Sequence, residues 1–277
     1  MNKLCDLHTH SVYSDGTFTP AEIIDEALKI GLSAVALTDH NTVDGLPDFI
    51  SAAHGKSIEI VSGAEFSADY NGTELHILGL FISSEHFGTV SALMANVNKL
   101  KEESNISLIE SLNRAGFALD YETIKHSTPN GKFNRAHIAA AMVEKGYISS
   151  IKEGFDTYLS KSSGYYKEPK RLTARDIIDF ISSIGAVSVL AHPFLNLSER
   201  ELVEFLSTTE GLRGMECYYS DYDNKTTNIS LRIANEFGLI CSGGSDFHGT
   251  NKPSIKLGSG KGDLRVPFES YLALKNI

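Results

Sequence analysis

Six of the ten histidines in this 277-residue sequence, with four or more carboxylates, fall at or beside the ends of strand-like apolar runs. Leu7-His8-Thr9-His10, with Asp15 five residues on, follows the first run, and Thr38-Asp39-His40 closes the second. Glu65 follows in the third, His76 sits in the fourth, Ala191-His192-Pro193 ends a later one, and Ser245-Asp246-Phe247-His248 ends the last. Neutral imidazole and carboxylate are ligand types that divalent transition metals take. In the extended stretch around His8-x-His10, period-two alternation puts both imidazoles on one face. Taken singly, each group has an ordinary explanation. Asp39-His40 would be a hydrogen-bonded cap of the helix near Val43, Glu65 a strand-edge charge, and His192 a core histidine before a proline turn. Ligand-type residues at strand end after strand end imply instead one polynuclear metal site drawing on His8, His10, Asp15, His40, Glu65, His76, His192, Asp246 and His248.

The elements that must position these groups are legible in the hydrophobic pattern. Strand-like runs occur at 3–7, 34–38, 59–66, 74–81, 186–191, 214–219 and 239–243. Thr19-Pro20-Ala21-Glu22 is a capping box with proline at the first helical position, opening a helix to about residue 30 before Gly31. Thr173 and Asp176 open a helix over 174–183, Ser198 and Glu201 open one through 206, and another runs over 224–237 to Gly238. Seven strands mostly alternating with helices predict an α/β barrel with its chemistry after the strands. Seven is one short of the usual eight, so the barrel should be open or distorted. Strands three and four depart from the alternation, because Asn71-Gly72 between them is a hairpin signal. A two-residue turn there pairs residues whose numbers sum to 143. His76 then faces Ser67 and lies diagonally beside Glu65, within reach of a shared ion.

Between 84 and 172 the strand–helix rhythm stops, and helices are predicted over 91–116, 134–145 and 149–159. The expected organisation is a discontinuous barrel domain, 1–83 with 173–277, and a helical insertion domain, 84–172. The net charge of −10 divides unevenly: residues 125–175 hold ten Lys/Arg and four acids, +6, leaving −16 on the remainder. That segment reads either as an ordinary solvated surface or as a basic wall for an anionic substrate. With 42% hydrophobic residues the chain can bury a full core. It shows neither a membrane-length apolar run nor a signal-peptide pattern, which predicts a cytoplasmic protein. Cys5, Cys217 and Cys241 each lie in a strand-like run and read as buried thiols. Gly-x-Ser-x-Gly, Walker and catalytic Cys–His patterns are lacking, which argues against a protein nucleophile.

His8-Thr9-His10-Ser11-x-x-Ser14-Asp15-Gly16, Thr38-Asp39-His40-Asn41-Thr42, Gly63-x-Glu65, His76, Ala191-His192-Pro193 and Gly244-Ser245-Asp246-Phe247-His248 together resemble the PHP (polymerase and histidinol phosphatase) superfamily. In the insertion, Asn134-Arg135-Ala136-His137 is similar to a branch of small bacterial phosphoesterases that includes nucleoside 3′,5′-bisphosphate phosphatases and enzymes trimming RNA 5′ ends. The resemblance implies a distorted (β/α)7 TIM-like barrel holding two to three divalent ions, manganese in the first place, with Zn²⁺ or Fe²⁺ as alternatives. It implies one ion on His8, His10, Glu65 and Asp246, a second on Glu65, His76 and His192, and a third on Asp15, His40 and His248. Asp39 would support His40 or cap a helix. Glu65, Asp246, His192 and His248 would also be catalytic, with Arg135 and His137 binding substrate.

The expected reaction is hydrolysis of a phosphomonoester of a small nucleotide by a metal-bridging hydroxide, without a covalent intermediate. The partner is a small phosphorylated substrate, or short RNA, with no membrane and no obligate protein partner. Several relatives carry a basic residue shortly after His-Pro; here the run is Phe194-Leu195-Asn196, which weakens the case for a bisphosphate. Lys132, Lys167 or Arg171 could compensate. Alternatives are a 5′–3′ exoribonuclease, a histidinol-phosphate phosphatase and a non-catalytic metal-binding module. Tyr219, Tyr165 and Tyr166 are candidates to stack on a base or to pack in the core.

Overall fold

The computed structural model describes residues 3–126, 133–169 and 171–277; Lys132 and Lys170 of the basic segment lie outside them. Eight strands form one sheet: β1 (Leu4–Asp6), β2 (Ala34–Leu37), β3 (Glu59–Tyr70), β4 (Thr73–Leu80), β5 (Val187–Leu190), β6 (Gly214–Tyr219), β7 (Ile240–Gly244) and β8 (Val266–Pro267). Their order is β7-β6-β5-β4-β3-β2-β1-β8. The helices are α1 (Pro20–Lys29), α2 (Leu46–Ala53), α3 (Phe87–Arg114), α4 (Tyr121–His126), α5 (Arg135–Glu144), α6 (Ile151–Gly154), α7 (Ala174–Ser183), α8 (Glu199–Thr208), α9 (Asn224–Glu236) and α10 (Phe268–Lys275). The chain divides into two compact units, Met1–Ala92 with Leu172–Ile277, and Leu93–Arg171.

The first unit is a nearly closed α/β barrel. Its seam is made just beyond the ends of β1 and β7. There Leu7 N–H donates to Gly243 O (3.2 Å), Asp246 N–H to His8 O (2.9 Å) and His10 N–H to Phe247 O (2.9 Å). Gly244 permits this approach, since a Cβ there would lie 2.3 Å from the Cβ of His8. The eighth strand is two residues long, one of them proline, and pairs antiparallel with β1. A run that short gives no periodic signal, so the count of seven strands needed this addition.

The hairpin has the register a two-residue turn demands: Tyr70 faces Thr73, Ser67 faces His76 and Glu65 faces Leu78. β4 is antiparallel to both β3 and β5. Its N-terminal half therefore lies at the end of the barrel where the parallel strands finish. Period two does the rest. Ala34, Ala36, Val61, Leu78 and Leu80 pack into one buried cluster. Two-residue steps along the same strand faces lead from Ala36 to His40, from Val61 to Glu65 and from Leu78 to His76.

Sequence signals also set the helix starts. Thr19 with Glu22, Thr173 with Asp176 and Ser198 with Glu201 form reciprocal capping boxes. The helix expected over 149–159 is not continuous: α6 gives way to a π-helical turn at Phe155–Leu159. The second unit has its own core, built around Leu108, Leu112, Ile138, Met142, Leu159 and Tyr166. No helix among the described residues is long and apolar enough to cross a membrane. Cys5, Cys217 and Cys241 are free thiols, the first two buried and the third half-buried.

Candidate metal centre

Glu65 is fully buried in β3, and its carboxylate is enclosed by imidazoles from four other segments. Oε1 lies 2.8 Å from His76 Nδ1 and 3.0 Å from His192 Nε2. Oε2 lies 2.9 Å from His40 Nδ1 and 3.3 Å from both His8 Nε2 and His10 Nε2. Two further carboxylates complete the ring. Asp246 Oδ1 is 3.2 Å from His10 Nε2 and 3.7 Å from His8 Nε2, and Asp15 Oδ1 is 3.2 Å from His248 Nε2. Ligand-type atoms converge in four overlapping groups: His10, Asp15, His40, His248; His8, His10, Asp246; His8, Glu65, His192; and His40, Glu65, His76. All nine residues singled out from the sequence thus meet at one end of the barrel. The division differs in detail from that implied by the resemblance, because His40 reaches Glu65 through Nδ1 while its Nε2 is 3.8 Å from Asp15.

These groups suit cations. Among the described residues, His192 Nδ1 is buried without a hydrogen-bond partner, and Glu65 Oε2 and His76 Nδ1, though close to His40 and Glu65, make no well-aligned hydrogen bond, which is costly unless something else satisfies them. Two buried carboxylates, Glu65 and Asp246, with exposed Asp15 beside them, demand positive charge. With no cation, the imidazoles must supply it. Burial alone would lower His8, but the Glu216 and Glu65 carboxylates outweigh it and hold its imidazole well above the ordinary value. By the same balance, Glu65 pushes His76 up to about 10. Burial would raise Glu65 itself, yet His40, His76 and His8 hold it well below the usual carboxylate range. Divalent ions would meet this demand with neutral imidazoles as ligands.

Buried carboxylates outside this ring position it, and sequence reasoning missed two of the three. Glu216 in β6 accepts from the backbone N–H of His192 (2.7 Å) and lies 3.1 Å from His8 Nδ1, turning His8 Nε2 toward Glu65. Asp6 in β1 accepts from Ser245 N–H (2.8 Å), Ser245 O–H (2.5 Å), Gly258 N–H (2.7 Å) and His8 N–H (3.3 Å). Asp39 neither caps α2, whose N-cap is Gly45 without a side-chain bond, nor holds the His40 ring. It accepts from Ser11 N–H (2.8 Å), Ser11 O–H (2.6 Å) and Ser14 O–H, and so ties down the loop that carries His10 and Asp15. Gly16 is required in that loop, because a Cβ would lie 2.3 Å from His10 O. His192 (φ 26°) and Asp246 (φ 55°) both have left-handed backbone, a strain that their anchoring hydrogen bonds sustain.

Residues 6–184 match the model of the PHP domain. The chain belongs to the PHP family. It is 30% identical over 253 residues to a 5′-3′ exoribonuclease of Haemophilus influenzae, covering 90% of this chain and 91% of that one. It is also 30% identical over 252 residues to a 3′,5′-nucleoside bisphosphate phosphatase of Chromobacterium violaceum, covering 88% and 86%. A crystal structure from Bifidobacterium adolescentis, described as a candidate metal-dependent phosphoesterase, superposes with a TM-score of 0.74 at 26% identity, covering 98% and 95%.

In this PHP protein the residues expected to meet substrate have defined places within the second unit. Arg135 donates to Leu159 O (2.9 Å), and its guanidinium lies 4.2 Å from the centre of the Tyr166 ring. His137 Nδ1 accepts from Asn134 N–H (3.2 Å), closing a capping box at the start of α5. Tyr166 is buried in that unit's core, and half-buried Tyr165 packs against it. Several cations of the basic segment are partnered locally: Lys125 with Glu102, Lys152 with Asp156, Lys161 and Arg171 with Glu168. In the barrel, Tyr219 is buried and its hydroxyl donates to Asp246 Oδ2 (2.9 Å).

Proposed function

We propose that this chain is a divalent-metal-dependent phosphoesterase acting on the phosphomonoester of a small nucleotide, a nucleoside 5′-monophosphate or 3′,5′-bisphosphate. The observation that carries the proposal is the Glu65 carboxylate with five imidazole nitrogens within 3.3 Å, flanked by Asp246 and Asp15. Glu65, His76 and His192 would hold one ion, His8, His10 and Asp246 a second with Glu65 shared, and Asp15, His40 and His248 a third, with Mn²⁺ the favoured metal. Bound divalent ions would supply Lewis acidity for a phosphoryl oxygen and for the attacking water.

The chain's own residues do the rest. Substrate would approach where burial ends, since Glu65, His8 and His10 are sealed while Asp15 is exposed and His40 and His76 are half-buried. Glu216 and Asp6 fix the imidazoles and the strained backbone before substrate arrives. Ser11 and Ser14 in the His10 loop both donate to Asp39, which holds that loop in place.

The nucleotide class is supported by the names of the two relatives and by the net charge of residues 125–175. A second reading, 5′-3′ exonucleolytic trimming of short RNA, is supported by the similarity to the H. influenzae enzyme over nine-tenths of the chain. Substrate contact by Arg135 and His137 belongs to the same proposal. The test is a kinetic screen of Mn²⁺-loaded protein on nucleoside 5′-monophosphates, 3′,5′-bisphosphates, short RNAs and histidinol phosphate. Hydrolysis should be lost in chelator and return with Mn²⁺. An RNA substrate should show activity falling steeply with salt, and a mononucleotide much less. Metal-loaded protein inert across the panel would refute the enzymatic reading and leave a metal-binding module.

A further inference from the structure

Asp246 is a two-faced carboxylate. Oδ1 points into the cluster, toward His10, His248 and His8. Oδ2 points out of it, accepting from the Tyr219 hydroxyl and from the ammonium of Lys252 at 2.7 Å. Lys252 follows the short 3₁₀ turn Gly249–Asn251. That turn is tied down: Thr250 N–H donates to Thr17 Oγ1 (2.9 Å), and the Asn251 side-chain Nδ2 donates to Asp15 O (2.8 Å). Among the described residues, the Lys252 side chain is held only by Asp246, and 43% of it is exposed. The turn thus presents a partly exposed cation at the rim of the cluster, beside Asp246 and next to the loop that carries Asp15.

We infer that Lys252 is a substrate-contacting residue, whose ammonium rests on Asp246 in the free protein and moves to a non-bridging oxygen of the phosphoester when substrate binds. The inference rests on the phosphoesterase reading. Its physical basis is a competition for one ammonium. Alone, the Asp246 carboxylate holds Lys252 with a full negative charge. Once that charge is shared with cations on Oδ1, its pull weakens, whereas an arriving phosphomonoester brings up to two negative charges. Lysine suits the transfer because its charge is compact and its four-carbon stem reorients without moving the backbone. Tyr219 stays behind to hold Oδ2, so Asp246 keeps its orientation when the ammonium leaves.

The test uses the full-length Mn²⁺-loaded protein with inorganic phosphate as the probe. Binding is measured by calorimetry and metal content by elemental analysis, for wild type, Lys252→Met and Lys252→Arg. Lys252→Met should weaken phosphate binding about 10-fold or more, the scale of one charge-assisted hydrogen bond, with metal content unchanged. Lys252→Arg should recover most of the affinity, and KM for a phosphomonoester should follow the phosphate Kd across the three proteins. Wild-type phosphate affinity in Lys252→Met would overturn the inference. Loss of metal together with phosphate binding would also overturn it, assigning Lys252 to the positioning of Asp246 instead. Wild-type protein that binds Mn²⁺ but neither binds phosphate nor hydrolyses phosphoesters would sink the phosphoesterase reading itself.

Discussion

Glu216→Gln is the most informative single change, because it keeps volume and shape while turning a charged acceptor oxygen into a neutral NH₂ donor. Glu216 is fully buried and serves two neighbours: Oε2 accepts from His192 N–H at 2.7 Å, and Oε1 lies 3.1 Å from His8 Nδ1. The backbone N–H can only donate, so the glutamine oxygen must turn toward His192. The amide NH₂ then faces His8 Nδ1. If His8 keeps its proton on Nδ1, two donors oppose each other in a sealed site, at about 1–3 kcal/mol. If the proton moves to Nε2, His8 loses the lone pair that faces Glu65 and His10, and with it a metal ligand. Either route should weaken metal binding about 10- to 100-fold, roughly 1.4–2.7 kcal/mol. Mn²⁺ affinity by calorimetry should show the loss, and kcat/KM at limiting Mn²⁺ should fall with it. Wild-type Mn²⁺ affinity in the Glu216→Gln protein would refute the idea that Glu216 selects the His8 tautomer.

Three further outcomes are expected. Asp6→Asn places an amide NH₂ among four donors in a fully buried site and should cost about 2–4 kcal/mol of stability in urea denaturation; a loss under about 1 kcal/mol would show that the seam relaxes around it. In chelator, the raised His76 contributes stability that is complete below its ordinary value of 6.5 and lost as pH rises toward about 10. The lowered Glu65 contributes stability present above its ordinary value of 4.5 and lost as pH falls. Tm of the chelated protein should therefore peak between these values and decline on the alkaline side, where Mn²⁺, which takes neutral imidazole, should restore it most; a chelated Tm flat from about pH 6.5 to 9 would contradict this. Arg135→Ala removes a stacked guanidinium and its bond to Leu159 O and should destabilise the protein by about 1–2 kcal/mol. A KM that rises beyond what the stability loss explains would support a substrate role for Arg135, and an unchanged KM would restrict it to packing.

The strand-end imidazoles were legible in the sequence because ligation leaves a local signature, a polar chelating residue directly after an apolar run. His76 was legible for a different reason. Asn71-Gly72 fixes the hairpin register, and the register puts His76 beside Glu65. Asp6 and Glu216 were not legible. Each lies inside an apolar strand, where a lone acid has no periodic or spacing signal, and its role depends mainly on contacts 24 to 252 residues away. Lys252 was overlooked because its proximity to Asp246 depends on how the turn after β7 folds back onto the Asp15–Thr17 loop. Arg135 differs again: the motif that marks it carries no trace of its bond to Leu159 O or its stacking on Tyr166, which only the folded second unit brings about.

Asp6, Asp39 and Glu216 follow a common spatial rule that no linear motif expresses. Asp6 lies on β1 and holds Ser245, beyond the neighbouring β7. Asp39, two residues past β2, holds the loop that follows the neighbouring β1. Glu216 on β6 holds His192, beyond the neighbouring β5. In each case a buried acid takes the backbone N–H groups of the next segment around the barrel, so no ligand-bearing loop depends on its own strand alone. The cost of burying three acids beneath a site that already contains Asp15, Glu65 and Asp246 is offset by those N–H and O–H donors, which carry no net charge. The supporting carboxylates thereby add rigidity, and their negative charge deepens the demand for cations in the cluster above them. A neutral support in the same places could tether the loops, but it would not deepen that demand. Positioning and metal affinity are therefore the same property of these three residues.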